Sequence, residues 1–591
     1  MIDFLFSFDR EKESECTKAL SIYRDTDKDP LHAYHGDWGV LVTKGHAYPG
    51  FECVETSRYL LVPLGGPLPR NHPSRDSGSP ENQGSHWILH QWKTGGGVRW
   101  DDDLVGSFLI LCVDKKEKRV ELVTDLNGFI SAYHSYSTPV IIGSHADAVA
   151  RAAGVSHTID PVSIADFLSY RTVTYPHTMY HGVKHIPPAS ITTFTPPSQQ
   201  ATIPYWEPRE TKHFATFREA VEQTRETVRN NVRLVCSGQR ETGVLLSGGE
   251  DSRAVLSFIP GTTGVRAFTI TDGYNREAGI AEMICRAQGA QWIPIHRSPT
   301  HYLDHALQAV RLCESHNFFL NAHLLGFEHH FPAGTRMLGG VAADSLLKGY
   351  GIRRRSKFGI TLRIDSEDWG EAREHRGKPF RQEVMNRRML FNERLKELRP
   401  DSWAEWHNLF PACMHSDFTF NIVNRRIFPS YEPFADSQII KLASCIPQKW
   451  KIDRRLYHQA MRPAFKDTWR IPHSEGWYPY FGNAPNIPIR IMRKAVKRFR
   501  NAGAGHGTAS SGPWPNWSDV VTHPKFKALC PSTDEILDCI PCNDNKRLLQ
   551  TLLTAYNENP CPVLTLRLFQ VKLWLHSSFT GMAPHTLESG T

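Results

Sequence analysis

Short apolar runs separated by polar turns fill the first two hundred residues of the chain. Tyr59-Leu60-Leu61-Val62-Pro63-Leu64, Ser107-Phe108-Leu109-Ile110-Leu111-Cys112-Val113 and Arg119-Val120-Glu121-Leu122-Val123-Thr124 carry the continuous or alternating apolar pattern of strands. Asp114-Lys115-Lys116-Glu117-Lys118 separates the second from the third and predicts an antiparallel hairpin with a charged connection. Residues 67–91, rich in Pro, Ser, Gly and Asn, read as an exposed and mobile loop. Residues 164–170 read as a helix, and the Pro-rich 195–200 precedes a boundary near residue 205.

From about residue 210 the period changes. A long helical pattern covers Phe217–Cys236, and short strands then alternate with helices: 244–246, 253–258, 265–270, 278–288 and 292–295. Such alternation predicts a parallel sheet with helices on both faces, whose ligands bind at the carboxyl ends of the strands. The expected fold is therefore α/β with an α+β N-terminal region: an antiparallel domain at 1–205, then a parallel-sheet domain at 210–591. Residues 353–400 are dense in charge and 481–517 are rich in Gly, Pro and Ser around a basic run. Both read as covers or solvated helical faces, with a substrate-guiding surface as the other reading. No internal repeat is found.

The candidate chemistry sits after the first parallel strand, in Gly243-Val244-Leu245-Leu246-Ser247-Gly248-Gly249-Glu250-Asp251-Ser252-Arg253. Gly248 and Gly249 let backbone N–H groups approach an anion, Ser247 and Ser252 add hydroxyl donors, and the following helix starts where phosphate is favoured. Asp251 would repel a phosphate directly. It makes sense as a ligand of Mg²⁺, which prefers one or two carboxylates plus phosphate oxygens. This is the build of an ATP-pyrophosphatase loop.

Composition narrows the partners. The 591 residues are too many for one core. A net charge of +8 permits an anionic ligand without the concentrated basic stripe of a nucleic-acid binder. The first residues have no basic start or long apolar run, so no signal peptide is expected. No stretch reaches the ~18 uninterrupted apolar residues of a membrane span. The twelve cysteines are scattered, as reduced thiols in a cytoplasmic enzyme would be. Cys539 and Cys542 have the spacing of a zinc half-site, but Cys530 and Cys561 do not make the second tight pair that zinc requires.

Several separated motifs resemble the asparagine synthetase family, which includes β-lactam synthetase and lasso-peptide cyclases. They are the loop 247–252; Phe268-Thr269-Ile270 with Glu277, Ala278 and Ala281; Leu338-Gly339-Gly340-Val341-Ala342-Ala343-Asp344 through Tyr350; and Glu432-Pro433-Phe434-Ala435-Asp436 on to Ile446-Pro447. The N-terminal region resembles the family's glutaminase (Ntn-type) domain through 104–108, 125–129 and 181–188. That domain uses an N-terminal cysteine as nucleophile. This chain begins Met1-Ile2-Asp3 and its first cysteine is Cys16, so a degenerate glutaminase is expected, with nitrogen coming from a substrate amine or free ammonia.

The resemblance implies ATP and Mg²⁺ as cofactors. Ser247, Gly248, Gly249 and Ser252 would hold the diphosphate, Leu246 and Asp251 would belong to the same ATP site, Phe268–Ile270 would read adenine through backbone, and Gly340 would line the nucleotide or acyl site. Asp251 and Asp344 would be the metal carboxylates. For amide formation, the family position filled by Glu or Tyr is Val341 here, which has no acid–base chemistry, and Asp417, nineteen residues before Asp436, becomes the candidate base. The position of a family lysine is Ser474, with Arg470, His473, Lys449 or Lys451 as substitutes. The implied function is an AMP- and pyrophosphate-forming amide ligase without glutaminase activity. Its substrate would be a small-molecule or peptide carboxylate, with a protein partner from a biosynthetic cluster or a homodimer among the allowed assemblies. A non-catalytic ATP-binding scaffold and an ATP-pyrophosphatase acting on another oxygen are the alternatives.

Overall fold

Two six-stranded antiparallel sheets lie face to face in the first third of this computed structural model. It describes all residues except 25–28, 71–83, 197–198, 212, 358–359, 365–376, 483–484, 490, 493–513, 541, 559 and 581–591. The first sheet runs Val183–His185, Tyr133–Ser135, Ile141–Gly143, Asp3–Ser7, Gly39–Lys44, Leu31–Gly36. The second runs Gln199–Pro204, Ser190–Thr195, Arg119–Thr124, Leu109–Asp114, Tyr59–Leu64, Val54–Glu55. The period of two decides the layers. Phe4, Phe6 and Leu41 join Leu60, Val62 and Leu111 in the core between the sheets. Their neighbours Leu5, Val40 and Val42 face the other way, onto Leu20 of helix Glu13–Tyr23 and Val149 of helix Ala146–Ala152. The antiparallel sandwich expected from the sequence is present, including the hairpin across Asp114–Lys118.

A five-stranded, wholly parallel sheet follows in the order Gln291–His296, Gly264–Thr271, Glu241–Leu245, Met337–Leu338, Ser430–Tyr431. Helix Phe217–Cys236 begins on the Thr216 hydroxyl, which accepts from the Glu219 N–H, and buries Val221, Val228, Val232 and Val235 on one stripe. The fold is mixed α/β, as expected.

The two regions are joined by polar contacts that their sequence motifs make. Asp436 caps helix Ser437–Cys445 and accepts from Arg70 at 2.8 Å and from the Gly106 N–H at 3.2 Å. Asp125 accepts from the N–H groups of Phe108, Asn127 and Phe129, while Asn127 donates its amide to Leu409 O at 2.9 Å. Helix Pro562–Thr580 returns to the N-terminal region, where the Trp574 indole N–H donates to Tyr180 Oη at 3.3 Å.

Two expectations change. Part of the loop expected at 67–91 is helical: Ser85–Lys93 forms a helix because Ile88 and Leu89 find the core, a signal diluted by the Pro, Ser and Gly before it. Within 353–400, Arg381–Leu398 is a helix whose Arg388 is buried against Asp166, so one of its charged faces points inward. Much of 481–517 lies outside the described residues.

Candidate active site

The phosphate-loop candidate lies where strand Glu241–Leu245 ends and helix Asp251–Phe258 begins. Its polar groups pre-shape it. The Ser247 N–H donates to Ser252 Oγ at 3.1 Å, the Gly249 N–H donates to Ser247 Oγ at 3.1 Å, and the Gly248 N–H donates to Glu277 Oε1 at 3.1 Å. Glu277 belongs to helix Arg276–Gln288, so the second strand–helix unit supports the loop of the first. The Leu246 N–H donates to Phe268 O at 2.8 Å, and Thr269 Oγ1 donates to Leu246 O at 2.9 Å. The structure therefore places Leu246, Phe268, Thr269 and Ile270 side by side on neighbouring strands. Gly340 has no room for a side chain: a Cβ there would stand 2.9 Å from both Asp251 Cβ and the Ser252 nitrogen.

Asp251 and Asp344 come together through Lys348, one turn beyond Asp344. The Lys348 ammonium lies 2.6 Å from Asp251 Oδ1, 3.0 Å from Asp344 Oδ1 and 2.8 Å from Glu250 Oε1. Its side chain is 3% exposed, and its Nζ stands 4.4 Å from the centre of the Tyr457 ring. Arg454 and His458 complete the pairing of Glu250, at 2.8 and 3.2 Å. Burial opposes the Glu250 charge, but Lys348, His458 and Arg454 outweigh it and hold its pKa well below the usual carboxylate range. Asp251 goes the other way. Burial, with Asp344 and Glu250 adding to it, pushes its pKa up to about 7 against the pull of Lys348. A divalent cation fits this arrangement, because two carboxylates converge beside the loop and one of them is short of positive charge. Among the described residues no three of His, Cys, Asp and Glu form a ready-made metal cage. A Mg²⁺ that draws its other ligands from phosphate and water does not need one.

Ser474 does back the phosphate loop. Its N–H donates to Gly248 O at 3.0 Å, and a Cβ on Gly248 would stand 3.1 Å from Ser474 Cβ. Arg253 holds this segment in place by donating to Ile471 O and Pro472 O, each at 2.8 Å. None of the four substitute cations supplies a free charge there. Burial pushes His473 down to about 3, so the ring is neutral and stacks on Trp477. Lys451 is fully buried and paired with Glu405 at 2.5 Å. Lys449 is exposed on the outer side of its short helix, and the Arg470 guanidinium lies over Trp469. The cation at the loop is Lys348. The sequence held no local signal for it, because Glu250 stands in a polar stretch beside Asp251 and Arg253.

Asp417 reaches the site through its neighbours. Its N–H donates to His415 Nδ1 at 3.1 Å, and His415 Nε2 meets Ser345 Oγ at 2.7 Å, one residue from Asp344. Burial, with Arg171 adding to it and Asp417 and Asp344 opposing, lowers His415 to about 4. Val341 contributes only its backbone, donating its N–H to Glu432 Oε2 at 2.9 Å.

Comparison with known proteins agrees with this layout. A family model described as a glutamine amidotransferase domain matches residues 83–206, and one described as asparagine synthase matches residues 223–419. The chain belongs to the asparagine synthetase family. The asparagine synthase match spans Ser247–Asp251, Asp344, Lys348 and Asp417, while Ser474 lies beyond it. At the family level the chain is an ATP-dependent ligase that forms C–N amide bonds. No curated protein matches it. Two solved structures resemble it in part. The allosteric regulatory enzyme of purine biosynthesis has 10% identity and a TM-score of 0.25, over 50% of this chain and 80% of that one. Glutamine phosphoribosylpyrophosphate amidotransferase from B. subtilis, complexed with ADP and GMP, has 9% identity and a TM-score of 0.24, over 50% and 81%. At that level of likeness neither informs the site.

Proposed function

We propose that this chain activates a substrate carboxylate as an acyl-adenylate and passes it to an amine, without hydrolysing glutamine. The observation that carries the reading is the convergence of Asp251 and Asp344 beside a pre-shaped Ser-Gly-Gly loop. A carboxylate oxygen attacks the α-phosphorus of ATP and the bond to the β-phosphate breaks. The leaving pyrophosphate settles on Ser247, Gly248, Gly249 and Ser252. The amine then attacks the acyl carbon, the bond to AMP breaks, and the amine proton passes to a base. Mg²⁺, held by Asp251 and Asp344, supplies charge neutralisation at the phosphates. Gly340 lets its strand end close on Asp251 and Ser252 beside the acyl group, and the Phe268–Ile270 backbone meets adenine. His415, Asp417 and Ser345 are the groups placed to handle the proton.

The nitrogen source is a substrate amine or ammonia. Cys16 and Cys112, two of the three cysteines before residue 205, are buried, with their thiols pushed up to about 12. Cys53 is half-buried and pushed up to about 11, so none of the three offers a thiolate. The carboxylate belongs to a small molecule or a peptide. No helix among the described residues is long and apolar enough to cross a membrane.

Nucleotide products decide the reading. With ATP, Mg²⁺, a panel of acids and an amine, AMP should accumulate in step with amide, and glutamine should not replace the amine. ADP as the product refutes adenylation. Glutamate released from glutamine refutes the second part.

A further inference from the structure

Lys348 is unusual for a phosphate site because it is spent on three carboxylates. A lysine serving phosphate alone would point its ammonium into the space that the loop's N–H groups offer to the anion. This one is buried and touches Glu250, Asp251 and Asp344, each within 3.0 Å. Two of these partners are the carboxylates assigned above to Mg²⁺, and the third is not. Glu250 is 1% exposed and is anchored separately by Arg454 and His458. The ammonium thus bridges a permanent anchor and two carboxylates that have another task.

We propose that Lys348 is a stand-in cation: it holds Asp251 and Asp344 together before nucleotide arrives, then stays on Glu250 when Mg²⁺ enters with ATP. This rests on the reading of Asp251 and Asp344 as the metal carboxylates. Electrostatics gives the reason for such a device. Three carboxylates around one point would repel each other and strain the loop if no cation lay between them, because like charges at this spacing are costly where Glu250 and Asp251 are shielded from water, even though Asp344 is exposed. They would also collect divalent metal without nucleotide. An ammonium in that place keeps the site assembled and makes metal binding depend on the phosphates, which bring the remaining ligands. Glu250 then retains Lys348 beside the loop, where its charge faces the leaving pyrophosphate.

The prediction has the opposite sign from damage. Mn²⁺ is added to the ATP-free full-length protein and bound metal is read by electron paramagnetic resonance. Wild type should bind it weakly, and binding should tighten when a non-hydrolysable ATP analogue is present. Lys348→Met, which leaves three carboxylates without their ammonium, should bind Mn²⁺ without nucleotide at least ~10-fold more tightly than wild type, a difference of about 1.4 kcal/mol. Adding Asp344→Asn should remove that gain. Should Lys348→Met not fold, Glu250→Gln with Lys348→Met leaves the net charge of the cluster unchanged and should still bind Mn²⁺ better than Glu250→Gln alone. No gain in either folded variant overturns the stand-in role while leaving the metal assignment intact, provided that wild type binds Mn²⁺ with the analogue. If wild type binds no Mn²⁺ even with the analogue, the metal assignment itself falls.

Discussion

His415 Nε2 and Ser345 Oγ stand 2.7 Å apart, one residue from Asp344. Because His415 Nδ1 accepts the Asp417 N–H, the ring proton lies on Nε2 and is donated to Ser345. The Ser345 hydroxyl proton is left to point elsewhere, toward whatever occupies the space beside Asp344. His415, Ser345 and the Asp417 backbone N–H form one chain of hydrogen bonds that fixes the ring. His415→Asn and its double variant with Asp417→Asn should therefore each slow amide formation by a similar ~10²-fold, while Asp417→Asn alone, which keeps the backbone N–H that meets the ring, should cost much less. Pyrophosphate exchange, which reports only adenylation, should stay near wild type. Additive losses in the double variant, measured as product per unit of AMP, would show two separate roles.

Gly340→Ala tests this close approach at the site. The new methyl would stand 2.9 Å from Asp251 Cβ and from the Ser252 nitrogen, both held in the loop–helix junction. The loop must shift, and a displacement on that scale costs about 10²-fold in turnover. The melting temperature should fall as well, by the equivalent of about 1–3 kcal/mol, because one of the atoms that must give way is backbone. Calorimetry and turnover measured on the same preparation separate the two effects.

Lys451 should behave in the reverse way. It is completely buried and paired with Glu405, and it also donates to Ala443 O at 3.3 Å. Lys451→Met leaves Glu405 charged and alone, a change that costs about 3–5 kcal/mol of stability. Urea denaturation should show this loss. Whatever protein remains folded at low temperature should keep its pyrophosphate exchange.

The main features of the site were legible in the sequence because strand, loop and helix are local. The loop 247–252, the helix Phe217–Cys236 and three of the five parallel strands lie where the periodicity places them, within a residue or three at most ends, while the two-residue strands Met337–Leu338 and Ser430–Tyr431 are too short to show a period. Asp344 and Asp251 were paired in advance by resemblance, and the structure brings them to one ammonium. Lys348 was missed because its meaning depends on Glu250, nearly a hundred residues earlier, and on a fold that buries both. Of the cations considered for the Ser474 position, Lys451 and Arg470 lie against Glu405 and Trp469, His473 is neutral, and Lys449 is exposed. The helix Ser85–Lys93 was hidden for a related reason: two apolar residues are enough when a core is waiting for them, and sequence does not show the core.

Acid should destabilise the fold through buried histidines. Burial, the largest cause in each case, lowers His177 and His473 from 6.5 to about 3, and His301 and His415 from 6.5 to about 4. Their folded pKa lies below the unfolded value, so between those values the unfolded chain binds more protons. The stability these neutral rings permit is complete above pH 6.5 and is lost as pH falls toward about 4. Melting temperature followed from pH 7.5 to 4.5 should fall most steeply below pH 6.5. Replacing His473 with Phe, which keeps the stack on Trp477 without a titrating nitrogen, should flatten the fall.

The central claim is that the loop removes pyrophosphate from ATP with Asp251 as a metal carboxylate. Exchange of labelled pyrophosphate into ATP, measured with Mg²⁺ and a panel of acids, tests it most directly. Wild type should exchange with at least one acid, and Asp251→Asn, shown to be folded by circular dichroism, should fall to background. Undiminished exchange by the folded Asp251→Asn protein would contradict the account.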